Sequence, residues 1–154
     1  MRSAPFRTAL LPLSLALAPV AGAVAQAEPA ANGEPARETL RIAYHIGEGV
    51  DQAAAMVQNI RNQLRMAPEI QIVVVAVGPG IDFLIEGAKD RNGNPFDATV
   101  AALKGRGVRF EVCEITLKNR ELRREQFIPE ADFTPSGVVR LTKLQVQGHA
   151  YIKP

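Results

Sequence analysis

The sequence predicts an α/β domain with a parallel sheet covered on both faces by helices. Three observations carry this. From residue 40 onward, short β-branched runs alternate with stretches of helical apolar spacing, the pattern of successive βαβ units. One run, residues 70–77 (IQIVVVAV), is almost continuously apolar, as a central strand buried on both sides requires. The chain of 154 residues is 47% hydrophobic and 22% charged, which places it among sequences that fold around a core rather than remain disordered.

The elements follow in order. Residues 40–46 (LRIAYHI) read as a first strand, on which Tyr44 and His45 point to opposite faces. Asp51 is the expected cap of a helix over 52–66. Its apolar positions Ala53, Met56, Val57, Ile60 and Leu64 recur at helical spacing, and Pro68 stops it. The strand at 70–77 ends abruptly at Gly78-Pro79-Gly80. A short helix is expected over 81–88, then a turn-rich loop over 89–95 (KDRNGNP), then a helix over 96–104 closed by Gly105 and Gly107. Residues 108–113 (VRFEVC) alternate as a third strand, and 116–124 read as a polar helix with basic residues at its end. A connection at 127–132 leads to a short fourth strand around 131–134. Pro135-Ser136-Gly137 opens a helix over 138–147, and 150–153 form a last short strand. No internal repeat at solenoid spacing is found.

The N-terminus reads as a secretory leader. Arg2 and Arg7 form a basic region, residues 10–20 (LLPLSLALAPV) an apolar one, and small residues then offer cleavage after Ala23, Ala25 or Ala27. The apolar run is too short to span a membrane. The expected organisation is a signal peptide at 1–25, a flexible linker at 26–38 and the α/β domain at 39–154, exported to a periplasm, with no membrane attachment after cleavage. Without Arg2 and Arg7 the chain carries 16 basic and 16 acidic residues, so the pI says little about partners. With no basic stripe, no Trp and 5% aromatics, nucleic acid is set aside as a partner.

In such a sheet, function collects at the carboxyl ends of the strands. The loops there carry His45 to Glu48, Gly78 to Gly80, Cys113-Glu114 and Pro135 to Gly137. Cys113 is the single cysteine, so it has no intramolecular disulfide partner. It closes a strand before a helix, where backbone N–H groups favour a thiolate. Glu111 and Glu114 flank it and oppose the anion. A buried, inert packing role is the competing reading.

His45 either carries a proton or orients the thiol, or it is a strand histidine bonded to a loop. His149 reads as structural or exposed. Two histidines and one cysteine, widely separated, make no metal set, and neither a phosphate-binding loop nor a dinucleotide fingerprint is present. No cofactor is expected. Gly78-Pro79-Gly80 allows close backbone approach to a ligand, or is simply a tight turn. Asp82, Glu86 and the run Arg120, Arg123, Arg124 read as solvated surface. The basic run doubles as a possible partner contact.

The stretch VVVAVGPGIDFLIEGAKDRNGNPFDATVAALKGRGVRFEVCEITLK resembles the DsrE/DsrF-like (YchN-like) family. The flanking IAYHI and PSGVVRLTKLQVQGHAYIKP extend the likeness over residues 40–154, and it is closest to the exported, periplasmic members. The strongest pieces are residues 78–84, the Asn92 to Pro95 turn, Cys113, and the closing Tyr151 to Pro154. The exported relatives carry Cys-x-Asn-Thr-Leu where this chain has Cys113-Glu114-Ile115-Thr116-Leu117, so the side chain at 115 offers no polar contact.

The resemblance implies a three-layer α/β/α sandwich with a five-stranded, mainly parallel sheet. It also implies homo-oligomers (dimer, trimer or hexamer) or sulfur-relay assemblies with a donor or acceptor protein. Some relatives carry persulfide sulfur on a cysteine. The expected site therefore joins Cys113 as sulfur carrier, His45 as accessory, and Gly78, Pro79, Gly80, Ser136 and Gly137 as ligand-binding loops. The expected function is a carrier rather than a turnover enzyme. The alternative is a non-catalytic ligand-binding or assembly module with Cys113 as core packing.

Overall fold

The computed structural model describes residues 39–154; the expected leader (1–25) and linker (26–38) lie outside the described residues. The elements are β1 (Arg41–Ile46), α1 (Val50–Met66), β2 (Gln71–Ala76), a 3-10 helix (Gly78–Leu84), α2 (Phe96–Lys104), β3 (Arg109–Cys113), α3 (Glu114–Asn119), a 3-10 turn (Arg124–Gln126), β4 (Ala131–Thr134), α4 (Gly137–Val146) and β5 (Ala150–Ile152). The sheet has five strands in the order β4-β3-β2-β1-β5, and every adjacent pair is parallel. The apolar run thus forms the central strand, β2, whose residues after Gln71 are all buried.

Alternation along the strands sorts residues between two unequal cores. Ile42, Tyr44 and Ile46 of β1, Ile72, Val74 and Ala76 of β2, and Phe110 and Val112 of β3 face the larger core. There they meet Met56, Ile60 and Leu64 of α1, Val100 and Leu103 of α2, and Leu117 of α3. Phe83 stands between Phe96 and Phe110 with edge-on ring contacts. The opposite face is covered by α4 alone, which lays Leu141 and Leu144 on Ala43, Val73 and Val75. Tyr44 is fully buried, and its hydroxyl donates to Gln63 Oε1 at 2.9 Å.

Three local expectations are corrected. α1 starts at Val50 with Gly49 at φ 89 as its N-cap and no side-chain cap; Asp51 lies inside the first turn and pairs with Arg91. The segment after β2 is a 3-10 helix that includes Gly78-Pro79-Gly80, not an α-helix beginning at 81. Gly80 N bonds to Val77 O at 2.9 Å, which closes the tighter turn at once. The polar helix spans only Glu114–Asn119, because Glu121 adopts φ 54 and Leu122 N turns back to Leu117 O.

One buried amide fastens the site edge. Gln52 Oε1 accepts from Gly47 N (2.7 Å) and Glu48 N (2.9 Å), while its Nε2 donates to Pro154 O at 3.1 Å. The loop after β1 is thereby tied to the segment after β5, where Lys153 also pairs with Glu48 at 2.5 Å. In the loop before α2, Asp90 Oδ1 accepts from the backbone of Asn92 and Asn94, both at 2.8 Å. These are the side-chain turns expected of that composition.

Candidate functional site

Cys113 ends β3 and is the N-cap of α3. Only 5% of its surface is exposed, so it lies just beneath the carboxyl edge of the sheet. The register pairs it with Thr134 of β4, and the start of α4 closes over it. Gly137 N donates to Cys113 Sγ at 3.2 Å. This approach requires glycine: a Cβ at 137 would stand 2.3 Å from Val77 Cγ1 and 3.2 Å from Cys113 Cβ. Ser136 caps α4, its Oγ accepting from Val139 N at 3.5 Å.

The thiol is surrounded by donors rather than aliphatic groups alone. Burial pushes its pKa up. The backbone N–H groups of Gly137, Thr116 and Ile115 and the Thr116 hydroxyl push it down, and together they hold it below its ordinary value of 9.0. Thr116 Oγ1 also accepts from Gly78 N at 3.0 Å, which leaves its proton for the sulfur. Through this hydroxyl the Gly78 to Gly80 segment reaches the cysteine, and Arg120 reinforces the link by donating to Gly78 O (3.3 Å) and Asp82 Oδ1 (2.6 Å).

The two carboxylates expected to oppose a thiolate are both paired. Arg140 grips Glu111 in bidentate fashion, Nε to Oε2 at 2.5 Å and Nη2 to Oε1 at 2.7 Å. Glu114 is bonded to Arg124, whose guanidinium lies 4.8 Å from the Phe133 ring centroid. The run at 120–124 is therefore not simply solvated: two of its three arginines are ion-pair partners.

Because folding lowers the thiol pKa, ionisation adds stability as pH rises from the folded value toward 9.0, and that contribution is lost as pH falls through the folded value. The pH–rate profile of iodoacetamide alkylation of Cys113 is expected to have its midpoint below 9.0. In Thr116→Val the hydroxyl donor is gone and Gly78 N loses its acceptor. The midpoint should rise, and stability should fall by about 1–2 kcal/mol. An unchanged midpoint in that variant would remove Thr116 from the account.

His45 is not beside the thiol, which corrects the expected pairing. The register runs His45 to Val75 to Glu111 across the sheet, so β2 intervenes. The two strands carrying His45 and Cys113 are about 10 Å apart. His45 Nδ1 instead shares a 2.7 Å hydrogen bond with the Tyr151 hydroxyl on β5. Burial and Lys153 lower its pKa below 6.5 while Glu48 opposes them, which favours the neutral ring. His149 donates from Nδ1 to Leu144 O at 3.0 Å and closes the end of α4.

Of the sequence candidates, the structure brings together Cys113, Gly78, Ser136 and Gly137, with Pro79 and Gly80 continuing the same segment; His45 stands apart with Tyr151. Thr116, Arg140 and Tyr151 were not legible as site residues. Thr116 had one signal, its place three residues after Cys113 at a helix start. Tyr151 had only its place in the closing segment of the family resemblance and Arg140 had none, since each meets its partner across long stretches of chain. Among the described residues no group of three or more His, Cys, Asp or Glu side chains converges on a possible metal position, and no helix is long and apolar enough to cross a membrane.

This fold and edge define an open parallel α/β sandwich with its candidate site at the strand ends. The chain belongs to the DsrE/DsrF-like family, which it matches over residues 23–154. It is similar to the structure of a protein of unknown function, MTH1491, from Methanobacterium thermoautotrophicum, with 28% identity and a TM-score of 0.67 over 75% of this chain and 99% of that one. It is also similar to the ychN protein from E. coli, with 10% identity and a TM-score of 0.59 over 73% of this chain and 95% of that one; that likeness concerns the fold alone. No curated protein matches the sequence.

Proposed function

We propose that this protein is an exported, periplasmic sulfur carrier of the DsrE/DsrF-like family, working as a homo-oligomer with a sulfur donor or acceptor protein. The observation that carries the reading is the set of N–H and hydroxyl donors around Cys113 Sγ, which favours a thiolate at the strand edge. Family membership and the leader-like composition of residues 1–25 support the setting. In the loading step the Cys113 thiolate attacks the outer sulfur of a donor persulfide, R–S–SH. A new S–S bond forms on Cys113, the donor S–S bond breaks, and the donor leaves as the thiolate RS⁻. No electrons are gained or lost overall.

One observation favours a second reading, a non-catalytic binding or assembly module with Cys113 as packing: the cysteine is 95% covered in the single chain. Mass spectrometry separates the two. Incubation of native protein with a persulfide donor should add one sulfur, about 32 Da, and Cys113→Ser should abolish the adduct. A thiol that labels only after denaturation and takes no sulfur would establish the packing role.

A further inference from the structure

The sheet face beneath α4 is only partly covered. α4 packs its leucines over β1 and β2, which leaves a groove of about 460 Å³ beside it, over β3 and β4. Its floor carries Arg109, Glu111 and Asp132, and its wall carries Ser136, Arg140 and Lys143. The two carboxylates are already engaged, Glu111 by Arg140 and Asp132 by Lys104 at 3.4 Å. The side chains of Arg109 and Lys143 have no hydrogen-bond or ion-pair partner among the described residues, so the groove carries a surplus of positive charge. Electrostatics of this sign, in a concave site with a hydroxyl in its wall, select a carboxylate-bearing ligand.

The groove points at the cysteine. Arg109, Glu111 and Cys113 are alternate residues of β3 and share the face under α4. From Arg109 to Cys113 the strand advances about 13 Å; Ser136 lines the end of the groove, and its neighbour Gly137 donates to Cys113 Sγ. Three extended residues span about 10 Å, so a tripeptide-sized thiol fits within this length, with a carboxylate toward Arg109 and its cysteinyl sulfur toward Cys113.

We propose that the groove seats the carboxylate end of a small, peptide-sized persulfide and presents its outer sulfur to Cys113. This rests on Cys113 being the sulfur-carrying residue. The Cys113 thiolate forms a bond to that outer sulfur, the donor S–S bond breaks, and the small thiol departs as its thiolate.

The test compares two donors and one inert ligand. Glutathione persulfide carries carboxylates, the persulfide of mercaptoethanol carries none, and S-methylglutathione binds without reacting. In the double variant Arg109→Glu, Lys143→Glu, sulfur transfer to Cys113 from glutathione persulfide is expected to slow about tenfold, and S-methylglutathione affinity to weaken by a similar factor. Transfer from mercaptoethanol persulfide should stay within about twofold. If S-methylglutathione binds the native protein and not the variant, while neither donor loads Cys113, the groove stands and the carrier reading falls. If the native protein and the variant load equally fast from both donors, the carrier reading stands and the groove is overturned.

Discussion

Gly80→Ala is expected to lower stability by about 3 kcal/mol and the melting temperature by about 10 °C. A Cβ at position 80 would lie 2.1 Å from Ile46 O, 2.4 Å from Ile46 C and 2.7 Å from Gly47 N. All three are backbone atoms at the end of β1, so no side chain can swing aside. Ile46 O also accepts the hydrogen bond from Val77 N at 2.8 Å, and relief of the clash would break it. The disturbance would spread to the site, because Gly78 in the same turn donates to Thr116 Oγ1. Gly105→Ala is the control. That residue has φ −61, and its nearest new contact would be 3.5 Å. Its stability should change by no more than about 0.5 kcal/mol, and a small gain is consistent with a less flexible unfolded chain. Thermal unfolding of the two variants side by side checks both; equal melting temperatures would show that the end of β1 yields freely.

Arg140→Met is expected to act on stability and on sulfur together. Glu111 is buried with 9% of its side chain exposed, and Arg140 is 20% exposed. Removal of the guanidinium leaves a buried carboxylate without its partner, a loss of about 3 kcal/mol. The same uncompensated charge lies on the Cys113 face of β3, two residues away, and like charge disfavours a thiolate. The alkylation midpoint of Cys113 should therefore rise toward 9.0. The double variant Glu111→Gln, Arg140→Met removes the charge with its partner and should recover most of both effects. Denaturant unfolding and the pH profile of alkylation are the measurements. A double variant as damaged as the single one would mean that Arg140 works through packing alone.

Much of the architecture could be read along the chain. The β-branched run around Val73 to Val75 identified the central strand, and the spacing of Met56, Ile60 and Leu64 identified the face of α1 that enters the core. The weak strand at Ala131–Thr134 was also legible from its composition. The misreadings fall where local pattern competes with backbone geometry. Apolar residues 81–85 resemble a helix, yet Gly80 pressed against Ile46 O holds the chain in a 3-10 turn. The polar stretch after Cys113 continues in helical composition, yet Glu121 turns at positive φ and carries Leu122 inward.

The candidate site divides in the same way. Cys113, the glycines at 78, 80 and 137 and Ser136 were recognisable because strand ends announce themselves by composition and the edge of a parallel sheet gathers them. Their chemistry was not. By composition the flanking glutamates oppose a thiolate, and it is their ion pairs with Arg140 and Arg124 that offset this. His45 reads from the chain either as an accessory to the thiol or as a strand histidine with a bonded neighbour, and it is the register that puts β2 between it and Cys113.

Periodicity and turn chemistry act over neighbouring residues, so the succession of strands and helices, and the loops at the strand ends, are legible in the chain itself. Which groups touch is fixed only once the chain is folded. The donor to the sulfur stands 24 positions away, the partner of Glu111 29 and the acceptor for Gly78 38. Contacts of that separation are set by strand order, register and the seating of α4, none of which leaves a local trace in the chain.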